Sequence, residues 1–527
     1  MYDVVIKNGS VIDGTGEPMR LADIAINGDR IVKIGEVGSE RGRTEIDAYG
    51  HYVMPGFIDI SNRSDVYWRL FQDPGLESLL RQGITSIIGG NSGASLAPIY
   101  NEQMFRSTQK WTDVKGMNVS WQDMGEFLDV VQEKGLSIHF GTFVGHGTLR
   151  RGIVGDEMRS LTHKESTRLV TYMHEAMSQG ALGVSLGLPY THGQSATRDE
   201  LVAVAEIVLA HNALLSVHLR DEDDALVGAV EEIIDVIRET GVRTHITHLK
   251  AVGQANWSQM QLALDQIDAA QVDGFSVTHD VYPYTVTGSV LYIFLPQWVT
   301  EGGRAMMLGR LGNPATRAHV VKELRASKMP FSEAIVSMAP HAAQMRGRSL
   351  RDIARERDVT VEELVVDLLL ASEGRVIILM EALSEENVVR ALESPYSLVT
   401  SNSPGYTLSE SEDLAFVHPR SFGSFPRLLG RYVRERGILS WEMAVHKSTA
   451  KVAERLGIHE RGILREGTIA DIVVIDPQSV ADIATIKEPR HYAEGVRYVL
   501  VAGRVAITRG DVGDTSLGTV LRKSARK

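Results

Sequence analysis

The chain of 527 residues contains no cysteine. That excludes a disulfide framework, a Cys-based zinc site and a thiolate nucleophile. An excess of positive charge is also lacking: 55 Lys and Arg stand against 67 Asp and Glu, a formal charge of -12. Phosphate-backbone binding needs clustered Lys and Arg, so nucleic acid is not expected as a partner. No apolar run approaches the roughly 18–20 residues of a membrane span, and Met1-Tyr2-Asp3-Val4-Val5-Ile6-Lys7 is not a basic segment leading into an apolar one. A soluble, cytoplasmic protein without a membrane partner is the expectation. What is present is ordinary for a globular protein, with 43% hydrophobic and 23% charged residues. Disordered, collagenous and coiled-coil classes are thereby excluded, and the length allows one large domain with appendages.

The first residues read as a meander of short strands punctuated by two turn signals, Asn8-Gly9 and Asn27-Gly28. A matching set closes the chain around Ala470-Asp471-Ile472-Val473-Val474-Ile475-Asp476, 496–501 and 505–508. Neither set is long enough for its own core, so both termini are expected to pair into one small β-domain, 1–54 plus 465–527. Between them, strand-like apolar runs at 57–60, 84–88, 137–144, 181–186, 213–217, 243–247, 275–281 and 396–400 alternate with helix-like segments. That alternation predicts an α/β fold, a (β/α)8 TIM-like barrel over 55–464. A run at 375–379 is surplus to the count. The long gap after the seventh run predicts an insertion at about 285–350, acting as a lid. Residues 440–456 read as one helix with Ser440 as N-cap and Gly457 beyond its end. The basic end, 522–527, reads as a solvated terminus.

Chemistry in such a barrel gathers where strands end. The fifth and sixth runs end in His218 and His248, a placement that fits metal ligation or acid–base work. The third leads to Gly145-His146-Gly147, where His146 either approaches a ligand or shapes the loop. Ser92 follows the second run in Gly89-Gly90-Asn91-Ser92-Gly93, a place for a cavity-facing hydroxyl or a turn residue. Gly183-Val184-Ser185-Leu186-Gly187 matches a nucleophile-elbow pattern but lacks the sharp strand-to-helix turn that motif needs.

Taken together, Pro55-Gly56-Phe57-Ile58-Asp59, Val144-Gly145-His146-Gly147-Thr148-Leu149-Arg150, His218-Leu219-Arg220-Asp221-Glu222, His248-Leu249-Lys250, Tyr282-Pro283-Tyr284-Thr285, His418-Pro419-Arg420 and Ala470-Asp471-Ile472-Val473-Val474 resemble the N-acyl-D-amino-acid deacylases (D-aminoacylases) of the amidohydrolase superfamily. The resemblance implies a metal-bearing barrel, a β-domain from the two termini and an inserted lid. It implies zinc that polarises an amide carbonyl and activates water, with a carboxylate as general base. Carried over, His218 and His248 match two zinc-ligating histidines, and Lys250, Tyr282 and, more weakly, Ser289 match positions that bind the substrate carboxylate. Arg220, Tyr190, His146 and Ser61 complete the expected substrate-binding set.

The remaining family positions differ. Ser61 and Arg63 stand where the family has a His-x-His pair, Ser92 where it has a Cys ligand, and Asn402 where it has the catalytic Asp. Serine is a poor zinc ligand at neutral pH, Arg63 is a permanent cation, and Asn402 cannot take a proton. Three readings stay open. One is a metal-independent enzyme acting on the amide C–N bond of an N-acyl-amino-acid-like small molecule, by hydrolysis, acyl transfer or amide formation. In it His218 and His248 serve as acid and base, Arg63 stabilises an oxyanion, and Ser92, Ser61 and Asn402 donate hydrogen bonds, with Ser92 also available as nucleophile. The second is a mononuclear zinc deacylase using His218, His248 and a third ligand such as Glu222 or Asp65, so that at most one zinc is expected. The third is a non-catalytic binding protein on the same scaffold. A homo-oligomer stays open.

Overall fold

The computed structural model describes residues 1–38, 40–107, 111–112, 117–408 and 416–523. Residues 524–527 of the basic end therefore lie outside the described residues.

Both ends of the chain enter one nine-stranded sheet. Tyr2–Val11 pairs antiparallel with Arg20–Asn27, which pairs with Arg30–Gly35 around Gly28. On its other side Tyr2–Val11 runs parallel to Tyr52–Pro55, and that strand pairs antiparallel with Ile472–Ile475, which continues into Val496–Val501 and Arg504–Thr508. Ile6, Ile24, Ile26, Ile472, Val474 and Leu500 pack together in its core. Of the two expected turns, Asn27-Gly28 is one. Asn8-Gly9 is instead a bulge inside the first strand: Asn8 adopts φ 60° while its backbone N–H and side chain bond Asp23 and Asp47. A Cβ on Gly9 would meet Val53 Cγ2 at 2.5 Å, so close packing with the neighbouring strand selects glycine there.

The eight parallel strands lie close to the apolar runs: Phe57–Asp59, Ile84–Gly89, His139–Thr142 continued by Val144–Gly145, Gly183–Gly187, Leu214–His218, Thr244–Ile246, Val277–Val281 and Ser397–Val399. They form two parallel sheets rather than one continuous ladder. The sheets meet in the third strand, interrupted at Phe143, whose N–H donates to Gly89 O at 3.1 Å while Thr142 O accepts from Leu182 at 2.8 Å. Between the eighth and first strands the link is a side chain: Asp59 Oδ1 accepts from Thr400 Oγ1 (2.6 Å) and from the Ser401 N–H (3.0 Å).

Between the seventh and eighth strands, Val286–Val290, Ile335–Met338 and Ile377–Glu381 form a separate antiparallel sheet with Ile377–Glu381 in the centre. The surplus run is thus the middle strand of the insertion, which extends past residue 350. Helices Pro314–Ala326 and Val361–Ala371 pack on it, the first capped by Asn313 before a proline, the second by a Thr360–Glu363 capping box. The helix expected at 440–456 is two, Trp441–Ser448 and Ala450–Leu456. The break falls at Thr449, against which Gly14 and Gly462 pack so closely that a Cβ on either would lie about 3 Å from it. Among the described residues no helix is long and apolar enough to cross a membrane.

Candidate functional site

The carboxyl ends of the parallel strands open into a cavity of about 100 Å³, roofed on one side by Ser289, Ile293 and Ile377 of the insertion. Three residues at these ends hold left-handed backbone: Ser92 (φ 52°), His248 (φ 40°) and Asn402 (φ 46°). Such strain costs of order 1–3 kcal/mol per residue and persists only where the surroundings enforce it.

The enforcement is visible around Ser92. A Cβ on Gly90 would lie 2.0 Å from Phe143 O, and one on Gly93 2.8 Å from Gly187 N, so this loop packs directly onto the third and fourth strands. Ser185, the serine of the nucleophile-elbow pattern, braces it by accepting from the Gly93 N–H (3.0 Å) and donating to Gly90 O. Ser92 is thereby carried to the fifth strand, with Oγ 3.1 Å from His218 Nδ1. Arg63 Nη2 donates to the same oxygen at 2.7 Å, and Arg63 Nε to Asn402 Oδ1 at 2.9 Å. Arg63 Nη1 is buried with no hydrogen-bond partner among the described residues, and the guanidinium lies 5.5 Å from the Trp111 ring.

Glu222 joins the rest. Its Oε2 is 3.2 Å from His218 Nε2, and its Oε1 is 3.0 Å from His248 Nδ1 and takes a short contact from Lys250 Nζ. The two imidazoles meet edge to face at 4.3 Å between centroids. Burial alone would raise the Glu222 carboxyl, but Lys250, His218 and His248 hold it well below its usual range. Burial pushes both histidines down, and Lys250 lowers each further, so the imidazoles favour their neutral form. A backbone brace fixes His248: its N–H donates to Asp280 Oδ1 at 2.5 Å. Donor atoms of His218, Glu222 and His248 lie within 4.8 Å of one another, and two histidines with a carboxylate are a donor set that zinc accepts.

Of the expected residues, Arg63, Asn402, Lys250, Tyr282, Tyr190 and Ser289 line this cavity with the two histidines. Two expectations are corrected. Ser61 lies behind the wall, its Oγ given to Asp280 Oδ2 at 2.5 Å. His146 is buried away from the cavity with Nε2 2.7 Å from Glu200 Oε1. Arg220 reaches the wall, but its guanidinium is taken up by Glu232 and by the carbonyls of Gly193, Gln194 and Ala196, so it ties a loop together. Asp65, weighed as a third zinc ligand, instead accepts the Gly90 N–H at 2.6 Å, and burial raises its carboxyl to about 6. Arg420 was not singled out as a site residue, although it stands in a motif. It lines the cavity over the Tyr282 ring at 4.6 Å, with Nε and Nη1 buried and without hydrogen-bond partners among the described residues. Ser92 borders a second cavity, and Tyr190 lines both.

Comparison with known proteins supplies the kinship. The chain is 31% identical to a D-aminoacylase of Alcaligenes xylosoxydans xylosoxydans over 99% of this chain and 98% of the relative. The chain belongs to the D-aminoacylase and N-acyl-D-glutamate deacylase family of the amidohydrolase superfamily. An N-acyl-D-glutamate deacylase of the same organism is 32% identical, covering 99% of this chain and 97% of its own. The amidohydrolase family model matches residues 407–507. In structure the chain resembles the N-acyl-D-glutamate deacylase of Bordetella bronchiseptica, solved with zinc and a phosphonate inhibitor that mimics the tetrahedral intermediate. The TM-score is 0.83 at 30% identity, with 99% of this chain and all of that one covered. Membership implies a TIM-like barrel with an attached β-domain, and relatives that hydrolyse the amide of N-acyl-D-amino acids.

Proposed function

We propose that this chain is a metal-independent member of the deacylase family that cleaves or exchanges the amide C–N bond of an N-acyl-amino-acid-like substrate, with Ser92 as nucleophile. The reading includes a (β/α)8 barrel over 55–464, the β-domain of 1–54 with 465–527, and the insertion as lid. The observation that carries it is the contact chain Glu222–His218–Ser92–Arg63. The Glu222 carboxylate, 3.2 Å from His218 Nε2 though outside hydrogen-bond geometry, favours by its charge the proton on that nitrogen, which leaves Nδ1 to accept from the Ser92 hydroxyl.

Ser92 Oγ attacks the amide carbonyl carbon as its proton passes to His218 Nδ1, and Glu222 stabilises the imidazolium. The free N–H of Arg63 Nη1, with Asn402 beside it, faces the developing oxyanion. Collapse breaks the C–N bond, His218 returns the proton to the leaving amine, and an ester on Ser92 remains. Water or a second amine takes the acyl group, giving hydrolysis or acyl transfer, and reversal gives amide formation. Lys250, Arg420 and Tyr282 hold the amino-acid carboxylate.

The zinc centre of the relatives is a poor fit to these residues, since a buried guanidinium and Ser92 stand at family ligand positions. One observation favours a second reading: the His218, Glu222 and His248 donors suit a single zinc, which when bound would polarise a carbonyl or activate water. Against it, the Lys250 ammonium already occupies Glu222.

Turnover of a panel of N-acyl-D- and N-acyl-L-amino acids tests the reading. We expect activity that survives chelation, falls at least about 10³-fold in Ser92→Ala, and traps an acyl adduct on Ser92 visible by mass spectrometry. Activity lost on chelation and restored by one zinc per chain overturns it in favour of the second reading. Absence of any turnover, with ligands still bound, leaves a binding protein.

A further inference from the structure

The second cavity, about 110 Å³, is as large as the first and is used by nothing described so far. Ser92 lies in its wall, while the two side chains bonded to Ser92 Oγ, Arg63 and His218, line the first cavity. Tyr190 is common to both. On the reading of Ser92 as nucleophile, a carbonyl carbon there would have the first chamber on the side of Arg63 and His218 and the second on the side of the Ser92 loop. The first chamber carries Lys250 and Arg420 for an amino-acid carboxylate, which assigns the acyl chain to the second.

That chamber joins an apolar wall, which includes Ala94, Tyr190, Tyr292 and Met307, to a cluster of charged side chains that an unsubstituted alkyl chain would leave unused. Its lining holds Arg106, Arg151, Arg304 and Arg375 against Asp156 and Glu373, with Arg106 paired to Glu102 outside the lining. Arg151 bonds Arg106 O and Asp156, and Arg304 and Arg375 share Glu373. Those pairings leave the Nε donors of Arg151 and Arg375 buried and without partners among the described residues. Unmet buried donors on cations are costly until an acceptor arrives, and an anion brings both acceptor atoms and the missing charge.

We propose that the second cavity is an acyl subsite for a chain ending in a carboxylate, so that the substrate is an N-(ω-carboxyacyl) amino acid. This rests on the reading of Ser92 given above, since it needs the acyl group to lie on the far side of that residue.

Equilibrium binding separates the two ideas, because it needs no turnover. By calorimetry, adipate is expected to bind at least tenfold more tightly than hexanoate. The preference should persist in Ser92→Ala and in Lys250→Gln and vanish in Arg375→Gln, with Arg375→Lys restoring part of it and thermal melts confirming that each variant is folded. In turnover, an N-adipoyl amino acid should exceed its N-hexanoyl counterpart at least tenfold in kcat/KM, again only with Arg375 present. Equal binding of adipate and hexanoate, or a preference that survives Arg375→Gln, overturns the subsite. Loss of the preference in Lys250→Gln also overturns it, placing adipate in the first chamber. Inorganic phosphate binding as tightly as adipate and with the same Arg375 dependence overturns it too, as a free-anion site unconnected with an acyl chain. If the adipate preference holds while Ser92→Ala keeps full activity, the anion site stands and the nucleophile assignment fails.

Discussion

Two buried clusters in this molecule have nearly the same inventory and opposite character. His139, Asp471 and Arg461 join the third parallel strand to the terminal sheet. Asp471 Oδ1 lies 3.0 Å from His139 Nε2, Arg461 reaches Oδ2, and His139 Nδ1 accepts the Thr519 N–H at 2.9 Å. Every ring nitrogen is spoken for and neither His139 nor Asp471 borders a cavity described above. His218, Glu222, His248 and Lys250 are also histidine, carboxylate and cation. Both carboxylates serve three neighbours, Asp471 also accepting the N–H of left-handed Ala502 at 2.8 Å, but only here do all the residues of the cluster line a cavity. Buried His–carboxylate contacts are thus no mark of function by themselves. Access to a cavity separates a reactive cluster from a structural clamp.

Paired substitutions break or sharpen that contrast. Glu222→Gln is expected to lower kcat at least about 10²-fold, the scale of lost acid–base support, in a protein that still folds. Asp471→Asn should leave kcat within about twofold but cost about 3 kcal/mol of stability, because it strands a partly buried cation and a buried histidine. Steady-state kinetics and urea denaturation on the same preparations decide it. If Asp471→Asn lowers kcat as Glu222→Gln does, the two clusters are one coupled system.

The same contrast has a pH signature. Burial alone would raise the Asp471 carboxyl, but His139 and Arg461 hold it well below the usual carboxylate value. A carboxyl depressed in the folded state contributes stability that is fully present above its unfolded value, near 4, and is lost as pH falls through the folded one. The stability difference between wild type and Asp471→Asn should therefore be constant from about pH 5 to 7 and shrink below about pH 4. A difference that stays constant down to pH 3 would mean that the carboxylate is not held by charge.

How much of this was legible in the sequence follows from the range of the forces involved. The parallel strands were readable because apolar runs and their spacing are local, and His218 and His248 because each closes such a run. The direction of Ile377–Glu381 was not, since a short apolar run looks the same in a parallel and an antiparallel sheet. Asn8-Gly9 carries the signature of a turn, yet Asp23, Asp47 and Val53, all distant in sequence, make it a bulge. The approach of Ser92 to His218 depends on a glycine loop folded onto two other strands, which no spacing encodes. Glu222 was legible as a possible third ligand beside the two histidines, but not its shared contact with both imidazoles and Lys250, which only the packing of neighbouring strand ends creates.

The smallest expected effect concerns His146, which sequence left between a substrate contact and a loop-shaping role and which structure places against Glu200. Glu200 does not depend on it alone: Arg150 grips the same carboxylate through Nε at 2.8 Å and Nη2 at 3.2 Å. Burial would raise the Glu200 carboxyl, but His146 and Arg150 together lower it. His146→Gln removes one contact and leaves the arginine fork intact, so the carboxylate keeps a charged partner and the loss is that of one buried hydrogen bond, about 1–2 kcal/mol. Because the His146 ring lies outside both cavities, kcat/KM should stay within about twofold of wild type. A fall in kcat/KM beyond tenfold with unchanged stability would return His146 to the substrate and erase the distinction between clamp and site on which the comparison rests.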